Sequence, residues 1–265
     1  MRLIFTFISV IASQTLFSQV KDLFPTKVEK LSFTEEIKKL YAEVNYINEN
    51  EKSRDLSETE RKRLEEIYET GKLDETKVDW WDVSGQGCSW YCCGSIDTVI
   101  ATSQLKNNGA ITYIGSNAGD DNYETAWVEG VEGYGIGESV TFYFTEGQGA
   151  IDEIIVSNGY VKTPKAYREN SRVKTLKLYH NDKHIANLHL KDELADQHFK
   201  LWEVFGNVGF EALKDYQGKV DGKLIDTNGN SFPQWTFKFE IGDVYKGTKY
   251  DDTVISEIYF NGPCH

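Results

Sequence analysis

No stretch of this sequence beyond residue 12 approaches the roughly 20 apolar residues that a membrane-spanning helix needs. The one apolar run, residues 3–12, follows Met1-Arg2 and leads into the small and polar residues 13–19. That order reads as a secretory signal cut near Ser18 or Gln19, so residues 1–18 are expected to be a signal peptide and the mature chain to be secreted, periplasmic or at the cell surface. No cysteine lies near that point to carry a lipid.

Basic residues are in deficit: 29 Lys and Arg face 42 Asp and Glu, a formal charge of -13 that becomes -14 once Arg2 leaves with the signal. An acidic balance of that size argues against general binding to nucleic acid or anionic membranes, which need a basic surface to displace counterions. Cysteine is sparse too. Cys88, Cys92, Cys93 and Cys264 make an even set in an exported chain, which favours disulfides, and three connectivities are open. Cys264 is the penultimate residue, so at least one bond is expected to tie the chain end to the Cys88–Cys93 segment. Their spacing lacks the paired CxxC knuckles of a zinc site.

Catalytic signatures are equally scarce. There is no nucleophile elbow and no serine, histidine and aspartate pattern. His180, His184 and His189 fall close together, but Asn181-Asp182-Lys183 reads as a hairpin turn, so no helix face unites them. With so many acidic residues, Glu129, Glu132 and Glu138 do not single out a hydrolytic pair. The expectation is a protein with no catalytic residues.

What the sequence does have begins with two amphipathic segments, residues 33–48 and 56–70, with Ser57 and Glu60 spaced as a capping box. From residue 79 tryptophan, tyrosine and glycine rise and alternating runs replace helical spacing. Strands are expected over 97–102, 111–114, 140–144, 151–157, 172–179, 185–190, 198–204, 235–244 and 254–260, which gives an antiparallel β-sandwich in a mainly β chain. The interval 203–233 reads as an insertion between strands. The division is then a signal at 1–18, a helical N-terminal segment at 19–78 and a sandwich domain at 79–265. Gly130, Gly133, Gly135 and Gly137 punctuate a shaped loop after Trp127; no helix follows it, which argues against a phosphate cradle.

Several short motifs follow one another in order: the acidic turn Asn117–Asn122 with Thr125 and Trp127, Ala126-Trp127-Val128-Glu129-Gly130, Gly135-Ile136-Gly137-Glu138, Asn158-Gly159-Tyr160, Asn170-Ser171-Arg172-Val173-Lys174, and Asp243–Gly247 with Glu257. Residues 97–260 thereby resemble the discoidin-like coagulation factor V/VIII C-type (F5/8 type C) family, and more closely its bacterial subgroup found as the translocation domain of an NAD glycohydrolase. The resemblance implies a galactose-binding-like jelly-roll of eight strands with its termini close together and ligand loops at one end. It implies a structural calcium held by Asp120, Asp121, Thr125 and Glu257, oxygen donors of the type calcium prefers. It also places Trp127 in the core.

Carbohydrate recognition needs a flat apolar face against the sugar ring and planar hydrogen-bonding groups against its hydroxyls. Tyr134, Asn158, Tyr160, Asn170 and Arg172 supply those groups in loops or at strand ends and are the expected ligand residues. Trp80, Trp81, Trp90 and Tyr91 are read as packing around the cysteine segment. The leading reading is a secreted, non-catalytic protein that binds a glycan or another cell-surface ligand. The alternatives are a protein-interaction module recruiting an exported partner through the N-terminal helices, and an enzyme acting on surface polysaccharide.

Overall fold

The computed structural model describes residues 20–85, 89–92, 94–145, 151–201, 216–220, 223–226 and 234–262. Residues 1–19, and with them the expected signal, lie outside the described residues. Among those described, no helix is long and apolar enough to cross a membrane.

Two strands absent from the sequence reading come first, β1 (Lys21–Leu23) and β2 (Lys27–Lys30). Two helices follow, α1 (Glu35–Glu51) and α2 (Glu58–Glu69). Thr34 caps α1 by accepting from the Ile37 amide, and Ser57 and Glu60 form a reciprocal capping box on α2. Tyr41, Val44 and Ile47 fall on one face of α1, and Tyr41 and Val44 pack with Ile67 and Leu73 into a small core of their own. Arg63 clamps the hairpin by pairing with Glu43 at 2.7 Å.

The sandwich is built from β3 (Thr98–Ala101), β4 (Trp127–Val128), β5 (Ser139–Thr145), β6 (Glu153–Asn158), β7 (Ser171–His180), β8 (Lys183–His189), β9 (Ala195–Lys200), β12 (Gln234–Tyr245) and β13 (Thr253–Asn261). A short helix, α3 (Pro164–Glu169), precedes β7. Tyr216–Val220 (β10) and Lys223–Asp226 (β11) form a separate hairpin within the expected insertion. One layer runs β1-β8-β7-β12-β5-β3 and the other β2-β9-β6-β13-β4; they meet where β13 pairs with the start of β7 over two residues. Pairing is antiparallel except at that crossing and at β1·β8, among the named strands.

The layers face each other through aromatic rings. Phe142 on β5 and Phe260 on β13 lie 5.3 Å apart, although β7 and β12 separate those strands along the sheet. Three strand spacings in a flat sheet would put them about 14 Å apart, so the sheet folds over on itself. Phe237, Phe239 and Ile241 on β12 and Leu176 and Leu178 on β7 are buried, as their alternation requires. Truncating a ring such as Phe142 to alanine is expected to cost about 3 to 5 kcal/mol.

Residues 111–114 are not a strand. Asn108 and Ile111 pair around Gly109 at φ 61°, and a 3-10 turn at Gly115–Ala118 follows. Gly115 lies against the β3 backbone, where a Cβ would meet the Ala101 nitrogen at 2.7 Å. The segment expected at 198–204 is β9, ending at Lys200; residues 202–204 lie outside the described residues. Asn181 and Asp182 both take positive φ, 46° and 65°, and so form the expected hairpin turn between β7 and β8.

Candidate functional site

At one end of the sandwich, the segment after β3, the loop after β6 with α3, and the β12–β13 connection enclose a cleft of about 420 Å³. Tyr113, Tyr160 and Tyr250 line it with rings, and Asn108, Asn170, Glu169 and Asp252 bring amides and carboxylates. Lys106 stands at the same cleft.

Each wall has a local cause. Gly159 at φ 79° turns the chain out of β6 to deliver Tyr160, and a Cβ there would meet the Arg172 side chain at 2.5 Å. Tyr160 is half-buried; its hydroxyl donates to the Glu124 carbonyl at 3.3 Å, and burial raises its pKa. Thr163 caps α3 and Pro164 opens it. The Asn170 side chain donates to the Ala166 carbonyl at 2.9 Å at the other end of that helix. The β12–β13 connection lies on α3: the Lys249 and Tyr250 amides donate to the Glu169 carbonyl at 3.1 and 2.9 Å. Tyr250 itself is 41% exposed, as a ring available to a ligand must be.

Of the expected ligand residues, the cleft unites Tyr160 and Asn170. Arg172 is buried behind the wall. Its guanidinium grips Asp192 through Nε and Nη2 at 2.8 and 2.9 Å and holds the Asn170 carbonyl through Nη1 at 2.9 Å. Asn158 is fully enclosed, with its side chain donating to the Val173 carbonyl at 2.7 Å and accepting from the Val173 amide at 2.9 Å. Both therefore hold the frame instead of facing the cleft. Tyr134 sits on the neighbouring glycine loop, where Thr253 Oγ1 donates to its carbonyl at 2.8 Å and the Lys246 ammonium lies 4.8 Å from its ring centre. That loop wraps the buried Glu129 carboxylate, which accepts from the Val131 and Thr253 amides at 2.9 and 3.1 Å. Tyr113, Tyr250, Glu169, Asp252 and Lys106 were not anticipated. The available signal was positional: connections at the same end of a sandwich converge, and Tyr250 lies in the loop between the last two expected strands.

The expected metal ligands divide differently. Glu257 is fully buried; one carboxylate oxygen accepts from the Asp121 amide at 2.8 Å, and Oε2 is the one buried side-chain atom without a partner among the described residues. Burial and the Asp120 charge push the Glu257 carboxyl well above its usual range. Asp120 keeps an exposed edge, and desolvation pushes it up to about 6. Thr125 Oγ1 lies 2.8 Å from both Asp120 carboxylate oxygens. The Asp121 carboxylate is turned away, accepting from the Ser84 amide and hydroxyl at 2.9 Å each. Accordingly, among the described residues no three acidic, histidine or cysteine side chains converge as a ready metal cluster. Asp120, Thr125 and Glu257 offer hard oxygen donors of the type calcium prefers, and the buried Glu257 Oε2, without a partner, calls for a cation or a proton.

The three histidines do not meet as a metal site. His184 stacks on Tyr179, while His189 contacts Asp22 at 2.7 Å. Cys92 is exposed at the end of the 3-10 turn Trp90–Cys92, whereas Cys88, Cys93 and Cys264 lie outside the described residues. Trp90 and Trp127 are fully buried, as expected, with Trp127 donating to the Ser103 carbonyl at 2.9 Å.

Against known proteins, the model of the family described as NAD glycohydrolase translocation F5/8 type C domain matches residues 90–261. No curated protein matches the chain. Among solved structures, the CBM32-1 and CBM32-2 domains of Clostridium perfringens ZmpB in complex with GalNAc share 11% identity at a TM-score of 0.36, over 63% of this chain and 33% of theirs. The chain thus spans about a third of that structure's length. A C. perfringens CBM32 in complex with GalNAc-β-1,3-galactose gives 13% identity and a TM-score of 0.35, over 62% of this chain and 94% of that one. The Streptococcus pyogenes NAD+-glycohydrolase translocation domain gives 20% identity and 0.30, over 52% and 97%.

Proposed function

The chain belongs to the NAD glycohydrolase translocation F5/8 type C domain family, and from that membership we propose that it is an exported, non-catalytic module that recognises carbohydrate in the cleft between α3 and the β12–β13 connection. The observation that carries the reading is the lining of that cleft: three tyrosine rings beside two amides and two carboxylates. Rings offer flat faces to sugar C–H groups, while amides and carboxylates match vicinal hydroxyls in both directions. Tyr160, Asn170 and Tyr250 are the proposed contacts, with Tyr134 flanking them. Arg172 and Asn158 act through the wall they hold.

Calcium is the proposed structural cation, held by Asp120, Thr125 and Glu257. It would neutralise the buried carboxylate and fix the 120–125 turn on β13.

A glycan array on residues 19–265, run with calcium and with chelator, tests both parts. Binding to a related set of sugars that is lost in Tyr250→Ala and Tyr160→Ala, with the far-ultraviolet circular dichroism unchanged, is the expected result. A blank array from the folded protein in calcium overturns the carbohydrate reading.

A further inference from the structure

Residues 20–31 fasten across the two layers at one side of the sandwich. β1 pairs with β8 of one layer, and β2 pairs with β9 of the other. Each attachment carries a histidine set against a carboxylate of the incoming strand. On β8, His189 Nε2 lies 2.7 Å from Asp22 Oδ1, with Asn187 donating to the same oxygen at 3.1 Å and Phe24 stacked on the imidazole at 4.9 Å. On β9, His198 is buried with its two ring nitrogens against two carboxylates: Nε2 is 2.8 Å from Glu29 on β2, and Nδ1 is 3.3 Å from Glu153 on β6.

An imidazole can donate from both nitrogens only as the imidazolium; a neutral ring must turn a lone pair toward one of the carboxylates. Further charged and polar groups surround the two carboxylates that flank His198. Lys27 on β2 contacts Glu29 at 2.8 Å. Lys200 on β9 contacts Glu153 at 3.3 Å and Asp152 at 3.9 Å, and Asn261 on β13 donates to Glu153 at 3.2 Å. Around His189 the remaining polar neighbour is Thr175 on β7, whose Oγ1 is 3.4 Å from Nδ1. Among the described residues, Lys27 contacts Glu29 through Oε1, so His198 is the one cationic side chain against Glu29 Oε2.

We infer that residues 26–31 form a protonation-gated strap, locked onto β9 while His198 carries charge and loosened when it loses it. Hydrogen bonds to the two flanking carboxylates outweigh burial and raise the His198 pKa, so its grip is complete at low pH and is lost as pH rises through the folded value. Glu29 is held below its usual value, so its grip is present above the ordinary carboxylate range and is lost as pH falls. The strap is therefore tightest from about pH 5 to 6.5, between the reference carboxylate and histidine values. What opens above that range is the β9 edge, whose His198 and Leu194 carbonyls are otherwise capped by the Thr26 and Leu31 amides at 2.8 and 3.1 Å.

Hydrogen exchange of the full chain, corrected for the intrinsic pH dependence and referenced to β12, measures the strap directly. Protection of residues 26–31 is expected to fall by about fivefold or more between pH 6 and pH 8.5 while β12 stays constant. Glu29→Gln, a change at an exposed side chain, should flatten that profile and leave the sandwich folded; His198→Gln should do the same. Protection that is constant from pH 6 to 8.5 in the wild type, or a pH profile that survives Glu29→Gln, overturns the strap.

Discussion

Arg172 holds Asp192 with two nitrogens at 2.8 and 2.9 Å and spends a third on the Asn170 carbonyl, so one buried side chain ties β7 to the wall of the cleft. Lysine cannot reproduce that planar three-way contact. Arg172→Lys is expected to lower stability by about 2 kcal/mol, because Asp192 is 40% exposed and recovers part of its hydration. Urea denaturation reads this directly, and an unchanged midpoint would rule out the framing role.

Gly135 and Gly133 both take positive φ, 63° and 95°, but in different surroundings. At Gly135 a Cβ would meet the Glu129 side chain at 2.4 Å, whereas at Gly133 nothing lies within 4 Å. Gly133→Ala should cost about 1 kcal/mol of backbone strain and Gly135→Ala at least about 2 kcal/mol, since Glu129 must leave its two amides. Equal losses in paired thermal melts would contradict the wrapped-carboxylate account of the loop.

Glu257→Gln distinguishes a bound cation from a bare buried acid. With calcium in place, the protein should gain about 3 kcal/mol at a hundredfold excess over its dissociation constant, and the variant should lose that gain. Without calcium the variant should be at least as stable as the parent, because an amide buries no charge. Calorimetric melts of both proteins in calcium and in chelator give the four numbers; a parent insensitive to calcium removes the cation.

The Tyr91 hydroxyl accepts from the Phe260 amide at 3.3 Å, and the Trp90 ring lies 5.9 Å from Phe260, so the Trp90–Cys92 turn lies beside the end of β13. A disulfide from Cys264 to that segment is therefore expected. Non-reducing peptide mapping of the exported protein should recover a Cys264-containing cross-linked peptide, and Cys264→Ser should cost about 2 to 5 kcal/mol. Recovery of Cys264 wholly as a free thiol would refute it.

Much of this architecture was legible because its periodicity is strong. The alternation of Phe237, Phe239 and Ile241, the Ser57 and Glu60 cap, and the Asn181-Asp182 turn each have a local cause, and each takes the expected form. β1 and β2 were not legible: Lys21–Leu23 and Lys27–Lys30 are short and polar, and they are strands because β8 and β9 offer them partners. The cleft was half legible for a related reason. Tyr160 and Asn170 follow a motif, whereas Tyr113 and Tyr250 depend on which connections share one end of the sandwich. Asn158 and Arg172 have the chemistry of ligand contacts, and burial turns the same donors and acceptors inward.

The strand β13 touches β4, β6 and β7, and it is the place where the two layers join. It is also the last of the described strands, while β1 finds its partner more than 160 residues downstream, Lys21 facing Ala186. Contacts of such long range close late, because loop entropy must be lost before they form. A nascent chain that has not yet released residues 253–261 has neither its corner nor its closed core. Closure of the sandwich core therefore waits on β13, whereas the α1–α2 hairpin, with its own small core, does not.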